Sequence, residues 1–385
     1  MQHITARLLT TAYLALTFGV SISTTRAGGT VVAWGDYWDI TTIGAETYRP
    51  MSVPPGLNNV VAIAAGIDHA LALKADGTVV AWGSNWRGAN NVPPGLSNVV
   101  AIACGWSHSL ALKADGTVVT WGTSMGESLP PGLTNVIAVG ARAGSVALKD
   151  DGTLAYWGGT TNPPPGLSNL VALAESYDDG TVLALKSDGA LVGWSYFQSS
   201  SLTNFPSGLT NTVAIGAGFL HAVALKSDGT VTAWGGSSRG EANVPADLTH
   251  VIAISAGEFH SIALREDGTV VPWGSYNYYG NVYPANAPAG LTNVVAVAAG
   301  STFDVVLVDQ PLSPGETASD IRKTPAGFGF WIPTRTGRLY ELEYKTAVDS
   351  NAWHFLSLMA GTGKLVNIVD ISTGDSNRFY RVRQW

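Results

Sequence analysis

The sequence predicts an all-β chain: a seven-bladed propeller closed by its own N-terminal strand, then a small C-terminal β-sandwich-like domain. Three observations carry this. A phrase closing on tryptophan recurs at Trp34, Trp82, Trp121, Trp157, Trp194, Trp234 and Trp273, at spacings of 48, 39, 36, 37, 40 and 39 residues. A second series opens at Leu57, Leu96, Leu133, Leu167, Leu209, Leu248 and Leu291, each leading into a run like "LNNVVAIAAG". Seven copies of each at a period near 40 mark a repeat array. The ends are complementary halves: residues 291–310 hold two strands without a third, and "GGTVVAWG" (28–35) holds a third without the first two.

Each unit reads as strand, turn, strand, turn, strand. "VVAIAA" (60–65) is a short β-branched apolar run, while "HALALK" (69–74) and "TVVAW" (78–82) have strand length and Gly-containing boundaries. "ADG" between the last two is a tight hairpin with glycine where φ is positive. Followed by direction, the first strand runs up and the third also ends at the top. The segment 83–98 must therefore descend, with a short fourth strand expected around Ala89–Val92. Four-stranded units of this length are propeller blades. Closing the last blade with residues 28–35 hides sheet edges.

Residues 1–27 have the form of a secretory signal: Arg7, an apolar run from Leu8 to Val20, and Thr25-Arg26-Ala27 as a small-x-small cut. The run is too short to span a bilayer, and the expectation is an exported monomer without a transmembrane segment, secreted or held in the cell envelope. Domain limits are read as 28–310 for the propeller, 311–319 ("PLSPGETAS") for a linker and 320–385 for the tail. The tail offers five strand-like runs, "FGFWIP", "RLYELEY", "AWHFLSL", "KLVNIVD" and "RFYRVRQW".

Apolar residues make up 46% and charged residues 13%, which excludes a disordered chain. Residues 28–312 carry 10 Lys/Arg against 21 Asp/Glu. Such an acidic body argues against nucleic acid as partner and for a basic or neutral one. One cysteine, Cys104, precludes an internal disulfide, and its apolar neighbours predict a buried thiol.

No nucleophile, zinc or phosphate-loop motif stands in context, so no enzyme, metal or cofactor is expected. His69, His108, His221 and His260 follow the top turn in four of seven blades. They read as structural residues bonded near their turns, because zinc needs ligands within ~2 Å of itself. Blade three is one residue short around Arg142–Gly144, and blade four has extra residues near Tyr177–Gly180. The loops on the top face hold an unusual number of rings. Trp86, Trp106, Tyr177, Phe219, Phe259, Tyr276, Tyr278 and Tyr279 are the candidate partner-binding residues.

"AAGIDHALALKADGTVVAWGSNWRG" (64–88) and "SAGEFHSIALREDGTVVPWGSYNYYG" (255–280) resemble the regulator-of-chromosome-condensation family of seven-bladed propellers. The resemblance implies ring closure by a strand from the far terminus. In wording it is nearest to secreted bacterial members such as β-lactamase inhibitory protein II, which grip a protein with one face. That implies a protein partner, met by Trp106, Phe219 and Phe259 in the turns and by Trp86, Tyr276 and Tyr278 in the loops after tryptophan. The eukaryotic namesake is a nuclear guanine-nucleotide exchange factor, a role at odds with the leader. A glycan-binding or glycan-processing surface protein is the alternative, since aromatic platforms also stack on sugars. The tail resembles short terminal domains of exported proteins of environmental bacteria, on "GFWIPTRTGRLYELEYKTAVDSNAW" (329–353) and "RFYRVRQW" (378–385).

Overall fold

The computed structural model describes residues 20–22, 29–39, 47–122, 128–142, 144–158, 163–177, 180–195, 201–278 and 281–308, and six strands between 321 and 384. The chain divides into a propeller unit, which runs to Val308, and a second unit containing Asp309–Trp385. The leader expected over 1–27 and the linker over 311–319 lie outside the described residues, apart from Val20–Ile22. That segment pairs antiparallel with the inner edge of Val60–Ala65.

Seven antiparallel sheets make the propeller. In blade one, Val60–Ala65 is the repeat's inner strand, His69–Lys74 the middle one and Val79–Gly83 the third. The same order recurs through blade six, whose inner strand is Val251–Ala256. Blade seven joins the chain's two ends: Val294–Ala299 pairs with Phe303–Val308, which pairs with Thr30–Asp39, from Thr30↔Val308 to Gly35↔Phe303. The half repeat therefore closes the ring, as the sequence predicts. Middle strands are the driest, with Leu71, Leu110, Leu183, Val223 and Ile262 all 0% exposed between neighbouring blades.

The expected fourth strand at Ala89–Val92 does not form. A 3₁₀ turn, Trp86–Gly88, stands before it, and side chains take up the backbone groups that a strand would need. Asn85 Oδ1 accepts the Asn90 N–H, and Asn90 Nδ2 donates to the Gly83 carbonyl. Fourth strands occur in blades six and seven, where the third strand runs past its tryptophan into a hairpin. These are Val270–Tyr278 with Asn281–Pro284, and Thr30–Asp39 with Thr47–Pro50.

At the lower rim one position is repeated in left-handed conformation. Asn59, Asn98, Asn135, Asn169, Asn211, His250 and Asn293 have φ of 55–59°, a region asparagine tolerates better than most residues. It turns each carbonyl toward the adjoining hairpin, where Ala75 and Glu266 N–H bond Asn59 and His250. The Asp of each "DG" is a turn residue. Asp76 accepts both the N–H and the hydroxyl of Thr78, which holds its carboxyl below the usual range.

The second unit has two three-stranded antiparallel sheets. One orders Ile321–Thr324, Gly327–Pro333 and Leu365–Asp370; the other orders His354–Ala360, Leu339–Lys345 and Phe379–Gln384. Ile321–Thr324 is a sixth strand beyond the five expected.

Candidate functional site

The turns before the middle strands and the loops after the tryptophans share one face. His69 pairs with Gly83 across two strands, and backbone bonds tie loop to turn. Ser84 N–H donates to Asp68 O at 2.7 Å, Gly236 to Leu220 at 2.6 Å, and Ser275 to Phe259 at 2.9 Å. The turns are also joined blade to blade: Trp106 N–H donates to Arg142 O, Phe219 to Glu258 and Ser301 to Ile67.

The four histidines close their own turns with their carbonyls, which accept the N–H of Gly66, Gly105, Gly218 and Gly257, but their rings do other work. Each ring reaches the next blade: His69 to Ser109 Oγ (3.0 Å), His108 to Ser145 Oγ (2.9 Å), His221 to Ser261 Oγ (2.8 Å) and His260 to Asp304 Oδ1 (2.9 Å). Ser109 gives its hydroxyl to the Ala89 carbonyl, so His69 Nε2–H is the donor. Burial pushes the imidazoles down, His69 and His221 to about 3 and His108 to about 4, and keeps them neutral. The glycine of the turn makes room, because a Cβ on Gly105, Gly218 or Gly257 would overlap the ring. Tryptophans form a second set of links. Trp121, Trp234 and Trp273 donate Nε1–H to the Ala89, Leu202 and Glu241 carbonyls of the preceding blade's loop.

At the seam between blades six and seven the histidine's partner is a carboxylate. Asp304, 0% exposed, accepts His260 Nε2–H and the Tyr276 hydroxyl, and Trp34 of the closing strand donates to Tyr276 Oη at 3.0 Å. Tyr276 therefore belongs to the packing and not to a contact surface, contrary to expectation. The cause is Asp304, which stands where blades two, three and six carry Ser109, Ser145 and Ser261, and it draws the phenol inward.

Tyr177 is likewise internal, 5% exposed. Its hydroxyl lies 3.4 Å from Ala299 O of blade seven, and the Arg142 guanidinium of blade three covers its ring at 4.0 Å. Burial pushes its phenol up to about 12. Arg142 Nη2 donates to Ala256 O of blade six at 3.1 Å. Arginine and tyrosine thus cross between blades over a small cavity lined by Glu175, Ser255 and the inner strands of blades three to six.

The remaining rings stay near solvent. Trp106 is 48% exposed, and Trp86 is half-buried with Arg87 over it at 4.4 Å. Phe219 and Phe259, both half-buried, meet at 5.2 Å, with Arg239 at 3.8 Å over Phe259. Leu220, 42% exposed, adjoins them and was not singled out from sequence. The Tyr278 side chain and Tyr279 lie outside the described residues. Half-buried Asp68 accepts Trp38 N–H, and its carboxyl is pushed up to about 7 by burial and then by Glu258 and Asp39. Cys104 is buried, which raises its thiol. Among the described residues no three His, Cys, Asp or Glu side chains group to hold a metal, and no helix is long and apolar enough to cross a membrane.

The regulator of chromosome condensation (RCC1) repeat profile matches residues 60–88, 99–124, 213–241 and 251–281. No curated protein matches the chain significantly in sequence. Among solved structures it is similar to Prp20p of Saccharomyces cerevisiae, described with its binding to Gsp1p and histones. That likeness has a TM-score of 0.60 at 18% identity over 80% of this chain and 95% of that one. Human WBSCR16 follows at TM-score 0.53 and 18% identity, over 73% of this chain and 100% of the other. The CRINKLY ectodomain of the Arabidopsis thaliana receptor kinase ACR4 gives 0.52 and 20%, over 65% and 98%. The chain thus carries the regulator of chromosome condensation (RCC1) repeat in four places, and its seven sheets form a β-propeller similar to those structures.

Proposed function

We propose that the protein is an exported, non-catalytic recognition propeller that binds another protein through the face bearing the turns. One observation carries the reading: the two faces differ in residue type. All five lysines of the propeller, Lys74, Lys113, Lys149, Lys186 and Lys226, close a middle strand at the end away from the turns. The turn face has none and instead presents Trp86, Trp106, Phe219, Leu220, Phe259 and arginines. Interface cores are enriched in aromatics and arginine and depleted of lysine, and a few buried rings supply most of the binding energy. Prp20p, similar in fold, binds the proteins Gsp1p and Kap60, which supports a protein over a glycan partner.

The test is capture from culture medium or envelope extract on the immobilised protein. Trp106→Ala combined with Leu220→Ala should abolish retention of the captured species without altering the melting temperature. Val100→Ala, at an exposed site on the opposite rim, should leave it unchanged. Retention by the turn-face variant would overturn the proposal.

A further inference from the structure

Arg49, Arg87, Arg142 and Arg239 are the cations on the turn side of the propeller. Arg49 pairs with Asp39 at 2.6 Å, and Arg142 bonds the Ala256 carbonyl below the surface. Arg87 and Arg239 occupy the same slot of the repeat, in "NWRGANNVP" (85–93) and "SSRGEANVP" (237–245). Each guanidinium lies on an aromatic ring, Trp86 or Phe259. Among the described residues neither makes an ion pair, in a body with twice as many acids as bases.

Nearby carboxylates are engaged elsewhere. Glu241 Oε2 accepts the backbone N–H of Arg239 at 2.7 Å, not its guanidinium. Glu258 takes the Ser301 hydroxyl. Arg239 Nη1 has no partner. A guanidinium stacked on a ring is held in one plane, keeps its N–H fork for an acceptor, and loses little freedom when one arrives.

We propose that Arg87 and Arg239 are carboxylate-recognition points of this face, and that the protein partner meets them with Asp or Glu side chains flanked by apolar ones. The inference rests on the protein-binding reading above. Beside Arg239 the apolar neighbour would lie on Leu220 and the Phe219–Phe259 pair. Net charge points to a basic partner, but the contact points themselves carry the opposite sign. A bidentate carboxylate on an unpaired, partly desolvated arginine is a strong, orientation-specific contact.

Random heptapeptides displayed on phage and selected on the immobilised full chain provide the test. Sequences with Asp or Glu adjacent to Phe, Tyr, Trp or Leu should rise at least tenfold over the unselected library. Selection on Arg87→Gln with Arg239→Gln, checked for unchanged melting, should lose the acidic preference and keep the apolar one. If that variant does not fold, Arg87→Lys with Arg239→Lys should retain a weaker acidic preference. Enrichment of apolar peptides without acids would overturn this inference and leave the protein-binding reading standing. Enrichment of basic peptides, acidic enrichment that survives the glutamine substitutions, or no enrichment would also overturn it.

Discussion

Blades one, two, five and six keep the repeat almost letter for letter; blades three and four depart from it at the turn. In the regular blades the turn is Gly-x-x-His, and the histidine crosses to the next blade. In blade three the shortened turn holds Arg142, and in blade four the lengthened one holds Tyr177; both reach across to other blades. Repetition therefore builds the seams, and departure from repetition builds what is individual to this molecule. A position that recurs unchanged is under the same packing demand in every blade. Arg142 and Tyr177, which break the pattern, have partners outside their own seams.

Acid should give the largest separation between the two kinds of blade. A histidine held below its unfolded value of 6.5 takes up its proton more readily when unfolded. Its stabilising contribution is complete above pH 6.5 and is lost as pH falls toward 4 for His108 and 3 for His69 and His221. Three such groups steepen the loss to about 4 kcal/mol per pH unit, roughly 1.4 for each. Hydrogen exchange at pH 4.5 should show protection falling first in blades one, two and five, with blade four last. Uniform loss would break the comparison.

Gly218→Ala should come next, costing about 2–4 kcal/mol in urea unfolding, because the added methyl displaces His221 and overpacks the turn. Gly208→Ala meets no atom within 4 Å and isolates the backbone effect at a φ of 82°. An equal cost for the two would show that the seam does not depend on the histidine. The smallest effect belongs to the lower rim. His250→Asn restores the residue found in the other six blades and should raise stability by about 0.5–1 kcal/mol, since histidine suits a φ of 55° less well. A lower melting temperature would mean that the Nδ1 contact to Thr249 outweighs the backbone term.

Strand order, blade number and ring closure were legible in the sequence because each is written several times over. The periodicity of "VVAIAA", the Asp-Gly hairpins and the two half repeats each constrain the same ring. The make-up of the turn face was legible only in part. Trp106 and the Phe219–Phe259 pair lie where the turn places them, and tip residues have no other blade to enter. Tyr177 and Tyr276 went inward for reasons carried by residues far along the chain, Arg142 and Asp304. No local pattern encodes such a meeting. The irregular turn lengths around Arg142 and Tyr177 were the available signal. The histidine bridges were missed because their acceptor lies about 40 residues on, in the next copy of the motif.

The pairing of Thr30 with Val308 also sets an order of events during synthesis. A hairpin within a blade can form as soon as its few residues leave the ribosome, but the seventh blade must wait until Val308 has emerged. Bringing together ends some 280 residues apart costs about 3 kcal/mol more in chain entropy than closing a ten-residue loop. Contacts of such separation are slow to form. Six blades therefore wait with two bare flanks, and the interval before closure is when the growing chain most needs protection from its neighbours.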